Sequence, residues 1–192
     1  MSLTHEAAPP SRLRHWASRL VLLLACVGVV ATSKGQSESV TSGPHSGAPV
    51  TLTTEAPSAT RSLVVRATTS KPPDMFASAE LKARVSATWT PADPSLTASP
   101  SLRAVLFDRE PQFYGEPAIL PLVAGQPVTM EVPLILARDC KLGASCEWTA
   151  DLLLELRDGA DGKVEVTWTA SAEAFMTDSD LPKDFTVTLS EP

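Results

Sequence analysis

The chain has 192 residues, with 16 Lys or Arg against 22 Asp or Glu, and its formal net charge is −6. A chain this acidic has no electrostatic reason to bind nucleic acid or an anionic membrane surface, and its length suits one modest domain with additional segments. It contains no asparagine, which excludes N-glycosylation.

The first 31 residues are predicted to be a signal peptide. Three arginines precede an apolar run from Leu20 to Ala31. This run is too short to span a bilayer as a helix, but it suits the hydrophobic core of a signal peptide. We therefore expect export to the cell envelope or the medium. Cleavage removes three Arg and Glu6, so the net charge of the mature chain moves from −6 to −8.

A short motif inside this leader suggests how the exported chain is anchored. Leu23-Leu24-Ala25-Cys26 resembles the lipobox of bacterial lipoproteins. The resemblance implies that Cys26 is lipidated and becomes the mature N-terminus, so the chain would contact a membrane only through that lipid. The residues after Cys26 stay apolar where the lipoprotein pattern has a polar tether. Ordinary cleavage after Ala31 or Ser33 is therefore the alternative.

Residues 32–60 are predicted to be a disordered tether. They are almost all Ser, Thr, Gly, Pro and Ala, and they show no apolar period. Such a segment buries too little apolar surface to offset the entropy lost on ordering. The predicted folded domain is therefore 61–192.

Apolar and polar residues alternate within that domain, which is the period of a β-strand. The clearest segment is Ser78 to Thr90, in which six apolar side chains share one face. Further strands are predicted at Arg61 to Thr68, Leu102 to Asp108 and Phe185 to Leu189, and Ile119 to Val123 is a short segment flanked by prolines.

Two cysteines, Cys140 and Cys146, predict a hairpin closed by a disulfide. If they face each other across the turn, the opposed positions of the two strands are apolar on both sides, as in Val132 opposite Leu154. The same pairing argument extends through the next turn, Asp158 to Gly162. We therefore predict a three-stranded meander over residues 128–174 whose even-numbered side chains face the core. Pro133 cannot donate to a ladder, which places its strand at a sheet edge.

About seven strands and no convincing long helix predict an all-β fold. An antiparallel β-sandwich of immunoglobulin-like architecture is expected, because sheets with one apolar face must bury that face against each other. Three tryptophans, Trp89, Trp148 and Trp168, fall on inward positions and are predicted to lie in the core.

Catalytic chemistry is not expected. The histidines His5, His15 and His45 all fall in the predicted leader or tether, so the folded domain would lack a histidine-based nucleophile or zinc site. No glycine-rich phosphate loop follows a strand, and we expect no cofactor, no metal and no enzymatic activity.

Carboxylates in two places are candidate sites. Glu131, Glu155 and Glu165 alternate on the outer face of the meander and are expected to form a solvated surface rather than a catalytic pair. Four aspartates in turns could offer oxygens to calcium, but tight turns also use Asp for local hydrogen bonds. These four are Asp158, Asp161, Asp178 and Asp180.

An aromatic pair, Phe113-Tyr114, lies in a predicted loop. It either folds over an open end of the sandwich or offers an exposed platform for a ligand. The first functional hypothesis is an exported, non-enzymatic interaction or structural module of the cell envelope, whose partner would be an unknown envelope protein or glycan. The alternative is a module for carbohydrate or another ligand that uses Phe113 and Tyr114.

Overall fold

The computed structural model describes residues 39–70, 76–95, 98–108, 113–141, 145–158, 161–176 and 181–192, all within the compact unit Ser37–Pro192. The predicted signal peptide and its Cys26 lie outside these ranges. Among these residues there is no helical segment with the length and hydropathy required to span a bilayer. The strands are β1 (Ser39–Thr41), β2 (His45–Ser46), β3 (Val50–Thr53), β4 (Ser58–Thr68), β5 (Phe76–Pro91), β6 (Ser101–Asp108), β7 (Phe113–Tyr114), β8 (Ala118–Pro121), β9 (Pro127–Lys141), β10 (Ser145–Arg157), β11 (Gly162–Met176) and β12 (Thr186–Ser190).

The strands form two antiparallel sheets. In the first sheet, β1, β2 and β3 lie along one edge of β11, followed by β5 and then β9. In the second sheet, the order is β12, β4, β10 and β6, and the short strands β7 and β8 both pair with β6. The predicted all-β sandwich is therefore confirmed. The described residues contain more than seven strands because the edges are built from pieces of two to five residues.

The strand pairings are nested, because each strand of the first half of the chain pairs with a strand of the second half in reverse order. From the outside inward, β3 pairs with β11, β4 with β10, β5 with β9 and β6 with β8. Successive pairs alternate between the two sheets, so the ribbon wraps around the core. This is the connectivity of a jelly roll, one of the double-sheet solutions for antiparallel proteins.

The core lies between the inward faces of the two sheets, and its positions follow the predicted period of two. The even-numbered positions from Met130 to Leu136, from Cys146 to Leu156 and from Val164 to Met176 are buried. All three tryptophans predicted to be internal are at most 3% exposed. The prediction of which side chains face inward is thus confirmed at these positions.

The predicted meander is wrong, although its inward faces were assigned correctly. β10 lies in the second sheet, between β4 and β6, whereas β9 and β11 lie in the first sheet on either side of β5. The apolar residues assigned to adjacent strands therefore belong to sheets that face each other. Alternation identifies the inward face of each strand. The same alternating pattern results whether two strands are neighbours in one sheet or face each other from two sheets.

The disulfide Cys140–Cys146 is present and connects the two sheets. Cys140 lies next to the last residue of β9, beside Ala77 of the first sheet, and Cys146 is the second residue of β10, beside Ala67 of the second. The two Cα atoms are 5.8 Å apart, much closer than the ~10 Å between stacked sheets. The small alanine side chains beside each cysteine suit this close approach. Closing so short a loop stabilises the fold by about 2 kcal/mol on the chain-entropy model.

The edge strand β9 agrees with its sequence. Pro133 lies in β9, and β9 is the last strand of the first sheet. Proline has no N–H to donate to a neighbouring strand, and this is tolerated at the outer edge because no further strand pairs there. The edge prediction is confirmed.

The predicted tether is wrong from residue 39 onward. Residues 39–53 form β1 to β3 against β11, and β4 begins at Ser58. An edge strand needs only a few inward apolar side chains, here Val50 and Leu52, and so its composition can resemble that of a disordered segment. The backbone N–H of Ser42 donates to the Ala172 carbonyl (2.7 Å), and the Ser42 hydroxyl accepts from the Ala172 N–H (3.0 Å).

The folded domain consequently contains a histidine, contrary to prediction. His45 lies in β2, and its ring centroid is 5.9 Å from that of Trp168. Next to it, Gly47 passes so close to the indole of Trp168 that a Cβ at this position would overlap the ring. The segment β1–β3 is therefore packed onto the sandwich through Trp168 as well as through the edge of β11.

A second tie joins the far end of β4 to the loop before β12. Asp184 accepts hydrogen bonds from the Ser70 backbone N–H (2.6 Å) and the Thr69 hydroxyl (3.1 Å). Hydrogen bonds from Ser70, through its side chain and its backbone, lower the pKa of Asp184 to about 2. Because the folded-state pKa is depressed, the stabilisation is present above the ordinary carboxyl pKa and is lost as the pH falls toward 2.

Replacing Gly47 by alanine tests whether residues 39–53 belong to the fold. We expect Gly47→Ala to lower the free energy of unfolding by about 1–3 kcal/mol, because the added methyl group overpacks against Trp168. Gly43→Ala is the matched control, since a Cβ at Gly43 meets nothing within 4 Å. Urea denaturation followed by tryptophan fluorescence measures both. If the two variants had equal free energies of unfolding, the conclusion that this segment packs against Trp168 would be wrong.

Candidate binding groove at the sandwich edge

A groove runs along the side of the sandwich where the last strands of both sheets meet. β9 closes the first sheet, and β7 and β8 close the second. The cavity between them has a volume of about 270 Å³. Its lining comes from β5, β7, β9 and the residues between β7 and β8, and comprises Glu80, Phe113, Tyr114, Gly115, Glu116, Pro133, Leu134 and Ile135.

The predicted aromatic pair forms one wall of this groove. Phe113 and Tyr114 form the two-residue strand β7, in which Tyr114 lies opposite Phe107 and Phe113 opposite Asp108. The rings of Tyr114 and Phe107 stack with centroids 5.3 Å apart and planes inclined by 27°. Tyr114 nevertheless remains 56% exposed and Phe113 45% exposed. The pair is therefore held by a strand and by Phe107, and it is not buried over the end of the sandwich.

The groove is closed at its base by a close backbone approach. The Gly115 N–H donates to the Leu106 carbonyl (2.8 Å), which holds the chain after β7 against β6. A Cβ at Gly115 would clash with the carbonyl oxygen of Pro133 in β9. Only glycine lets the edges of the two sheets come together here.

The opposite wall comes from the outer face of the first sheet. Ile135 of β9 is 62% exposed, and it lies beside Glu80 of β5. A Glu80 carboxylate oxygen is 3.2 Å from the ammonium group of Lys82. With Glu116 between β7 and β8, the lining has an apolar surface flanked by two carboxylates.

The three outer-face carboxylates considered from the sequence do not form a site together. Glu131 pairs with Arg84 (2.6 Å) and Glu165 with Lys163 (2.8 Å), both on the first sheet. Glu155 lies on the second sheet, 3.1 Å from Arg103 and 3.2 Å from Arg157. Each carboxylate has its own cation on the surface of its sheet.

The turn aspartates within the described residues, Asp158 and Asp161, form no metal-binding group. Asp158, in a left-handed conformation with φ of 65°, accepts a hydrogen bond from the Ser101 hydroxyl (2.6 Å). Asp178 and Asp180 lie outside the described residues. Within the described ranges, no group of three or more His, Cys, Asp or Glu side chains is arranged to hold a metal ion.

Comparison with known proteins gives no family. No family model matches the sequence, and the curated proteins contain no significant match.

Solved structures with a similar arrangement of strands are distant. An empty virus-like particle of Cowpea Mosaic Virus gives a TM-score of 0.34 at 8% identity, covering 80% of this chain and 85% of the other. Broad Bean Stain Virus gives 0.31 at 8% identity, covering 73% and 89%. A structure titled "CBM4 structure and function" gives 0.29 at 13% identity, covering 79% and 81%. At these TM-scores the likeness carries no argument about function.

Sequence reasoning found one wall of the groove and missed the other. Phe113 and Tyr114 stood out as aromatics between strands, whereas Glu80 looked like any polar residue on an outward face. Ile135 could have been recognised from the sequence as an exposed apolar residue, since it is large, apolar and at an odd-numbered, outward position of β9. Its proximity to Tyr114 could not be foreseen, because it depends on how the edges of the two sheets meet.

Replacing Gly115 by alanine should open the base of the groove. We expect Gly115→Ala to cost about 1–3 kcal/mol of unfolding free energy, because the methyl group forces Pro133 and the chain after β7 apart. Glu116→Ala, one residue further on and exposed, is the control and should stay within about 0.5 kcal/mol of the parent protein. Chemical denaturation measures both variants, and equal losses would argue against the close approach.

Proposed function

We propose that this protein is an exported, non-enzymatic module of the cell envelope that acts by binding, with the groove between β7 and β9 as its contact surface. The observation that carries the proposal is the clustering of large exposed apolar side chains in that groove. Phe113, Tyr114 and Ile135 are each 45–62% exposed, and all three line the same cavity. Contiguous exposed apolar surface of this kind is typical of interaction sites.

The rigidity of the surroundings also supports a binding role. Tyr114 stacks on Phe107, and Gly115 is hydrogen bonded to Leu106, so the aromatic wall is organised before any ligand arrives. Binding to a preformed surface avoids part of the entropy cost of ordering side chains.

Export is supported by the signal-like leader and by the disulfide. Cys140–Cys146 is compatible with an oxidising compartment, where such bonds form and persist. The mature chain would carry a net charge of −8, and its membrane contact would be a lipid on Cys26 if the lipobox is used.

The mass of the mature protein tests export and anchoring. We expect the protein recovered from the envelope or medium of its own cells to lack its leader and to be oxidised at Cys140 and Cys146. A diacylated or triacylated N-terminal Cys26 supports the lipobox, and an unmodified start near Thr32 or Lys34 supports ordinary cleavage. Recovery of the unprocessed chain with reduced thiols from the cytoplasm would contradict export.

Binding to isolated envelopes tests the groove. We expect the full chain to sediment with envelope material, and the double variant Phe113→Ala, Tyr114→Ala to bind at least about tenfold more weakly, because it loses two exposed aromatic contacts. Ile119→Ala is the matched control, since Ile119 of β8 is 50% exposed but does not line the groove.

The readout is the apparent affinity from co-sedimentation, with the Tm of each variant recorded to show that it is folded. Equal binding by the folded double variant and the parent chain would rule out the groove as the contact surface. Absence of any envelope binding by the parent chain would overturn the proposed function itself.

A further inference from the structure

We infer that the groove binds a non-acidic pyranose ring, stacked on Tyr114, as the recognised part of a glycan. This inference rests on the proposed binding function and names its ligand class. Three observations carry it, namely the supported aromatic ring, the charge of the lining, and the blocked edge of β9.

The first observation is a flat aromatic platform of the right kind. Phe107 covers one face of the Tyr114 ring, and 56% of the Tyr114 side-chain and backbone surface is still accessible. One face of a pyranose presents C–H groups, which pack on an aromatic ring, while its hydroxyls point outward around the rim. Tyrosine suits such a partner because it offers an apolar ring with a polar tip.

The second observation is the charge around that platform. Glu80 and Glu116 both line the groove, and the described lining contains no Lys, Arg or His. Carboxylates accept hydrogen bonds from sugar hydroxyls or amines. Lys82 lies 3.2 Å from Glu80, which offsets one charge and leaves Glu116 to repel an acidic sugar. The ligand is therefore a neutral or amino-bearing sugar rather than a uronic or sialic acid.

The third observation disfavours an extended peptide, the main competing occupant of a sheet edge. A peptide that adds to a sheet needs a continuous row of backbone donors and acceptors on the edge strand. At the centre of the groove, β9 has Pro133, which lacks an N–H, and the carbonyl of Pro133 is approached by Gly115. The ladder is interrupted where the exposed aromatics lie, so a compact ring fits better than a strand.

Tyr114 is the only tyrosine in the chain, which allows a direct experiment. The full chain labelled with 3-fluorotyrosine should give one protein ¹⁹F resonance, and that resonance reports on the groove alone. We expect it to shift saturably on titration with at least one neutral or amino-bearing oligosaccharide from a panel of chitotriose, cellotriose, mannotriose, galactotriose and chitosan trimer. Trigalacturonate, the acidic counterpart of galactotriose, should produce no saturable shift.

Two variants separate stacking from charge. Ile135→Ala keeps the fluorine label and should weaken binding, because it removes the opposite apolar wall. Glu116→Gln keeps the shape of the rim and should reduce the discrimination against trigalacturonate. Ile119→Ala, outside the groove, should leave the titration unchanged. Saturation transfer from irradiated aromatic protein protons to the C–H protons of the sugar provides a second measurement that needs no variant.

Failure of this inference is distinguishable from failure of the proposed function. If no oligosaccharide in the panel shifts the Tyr114 resonance while envelope binding through Phe113 and Tyr114 persists, the sugar assignment is overturned and the binding role stands. A saturable shift with trigalacturonate equal to that with galactotriose would also overturn it, because the charge argument would be wrong. A saturable shift caused by an extended peptide from the envelope, with none from the sugars, would overturn the sugar assignment and make a peptide the ligand class.

Discussion

Each sheet of this protein has one apolar face, and the burial of those two faces against each other is the constraint on which the remaining structure depends. The inward side chains of β5 and β11 differ along their length: Ala79 lies beside Ala174 and Ala77 beside Met176 toward one end, and Trp89 lies beside Val164 at the other. At the alanine end, β9 of the first sheet is tied to β10 of the second by Cys140–Cys146. The disulfide thus joins the two sheets at this end of the sandwich.

The sequence showed which side chains of each strand face the core, but it did not show which strands pair with each other. Alternation in β5, β9, β10 and β11 predicted the inward side chains, because it is imposed by burial and does not depend on the neighbouring strand. The placement of β10 in the opposite sheet could not be predicted in this way, since Val132 and Leu154 are apolar in either arrangement. Pro133 was more specific, because the loss of a single N–H is tolerated only at an edge.

The N-terminal strands show a different limit. Residues 39–53 have the composition of a tether, yet they complete the edge of β11 through Val50, Leu52 and the backbone of Ser42. Little apolar surface is needed when a neighbouring strand supplies the hydrogen bonds. For the groove, likewise, aromatic character identified Phe113 and Tyr114, but the contributions of Glu80 and Ile135 depended on where β9 and β7 meet.

The nested pairing of strands has a consequence for synthesis. β11 is the neighbour of β1, β2, β3 and β5, and β4 lies between β10 and β12. A nascent chain that ends before Gly162 therefore leaves most of the first sheet without its central strand. Since long-range pairings are slow to form, the first sheet is completed only after residues 162–176 have joined it. Until then the apolar inward face of β5 stays exposed, and exposed apolar strands favour aggregation.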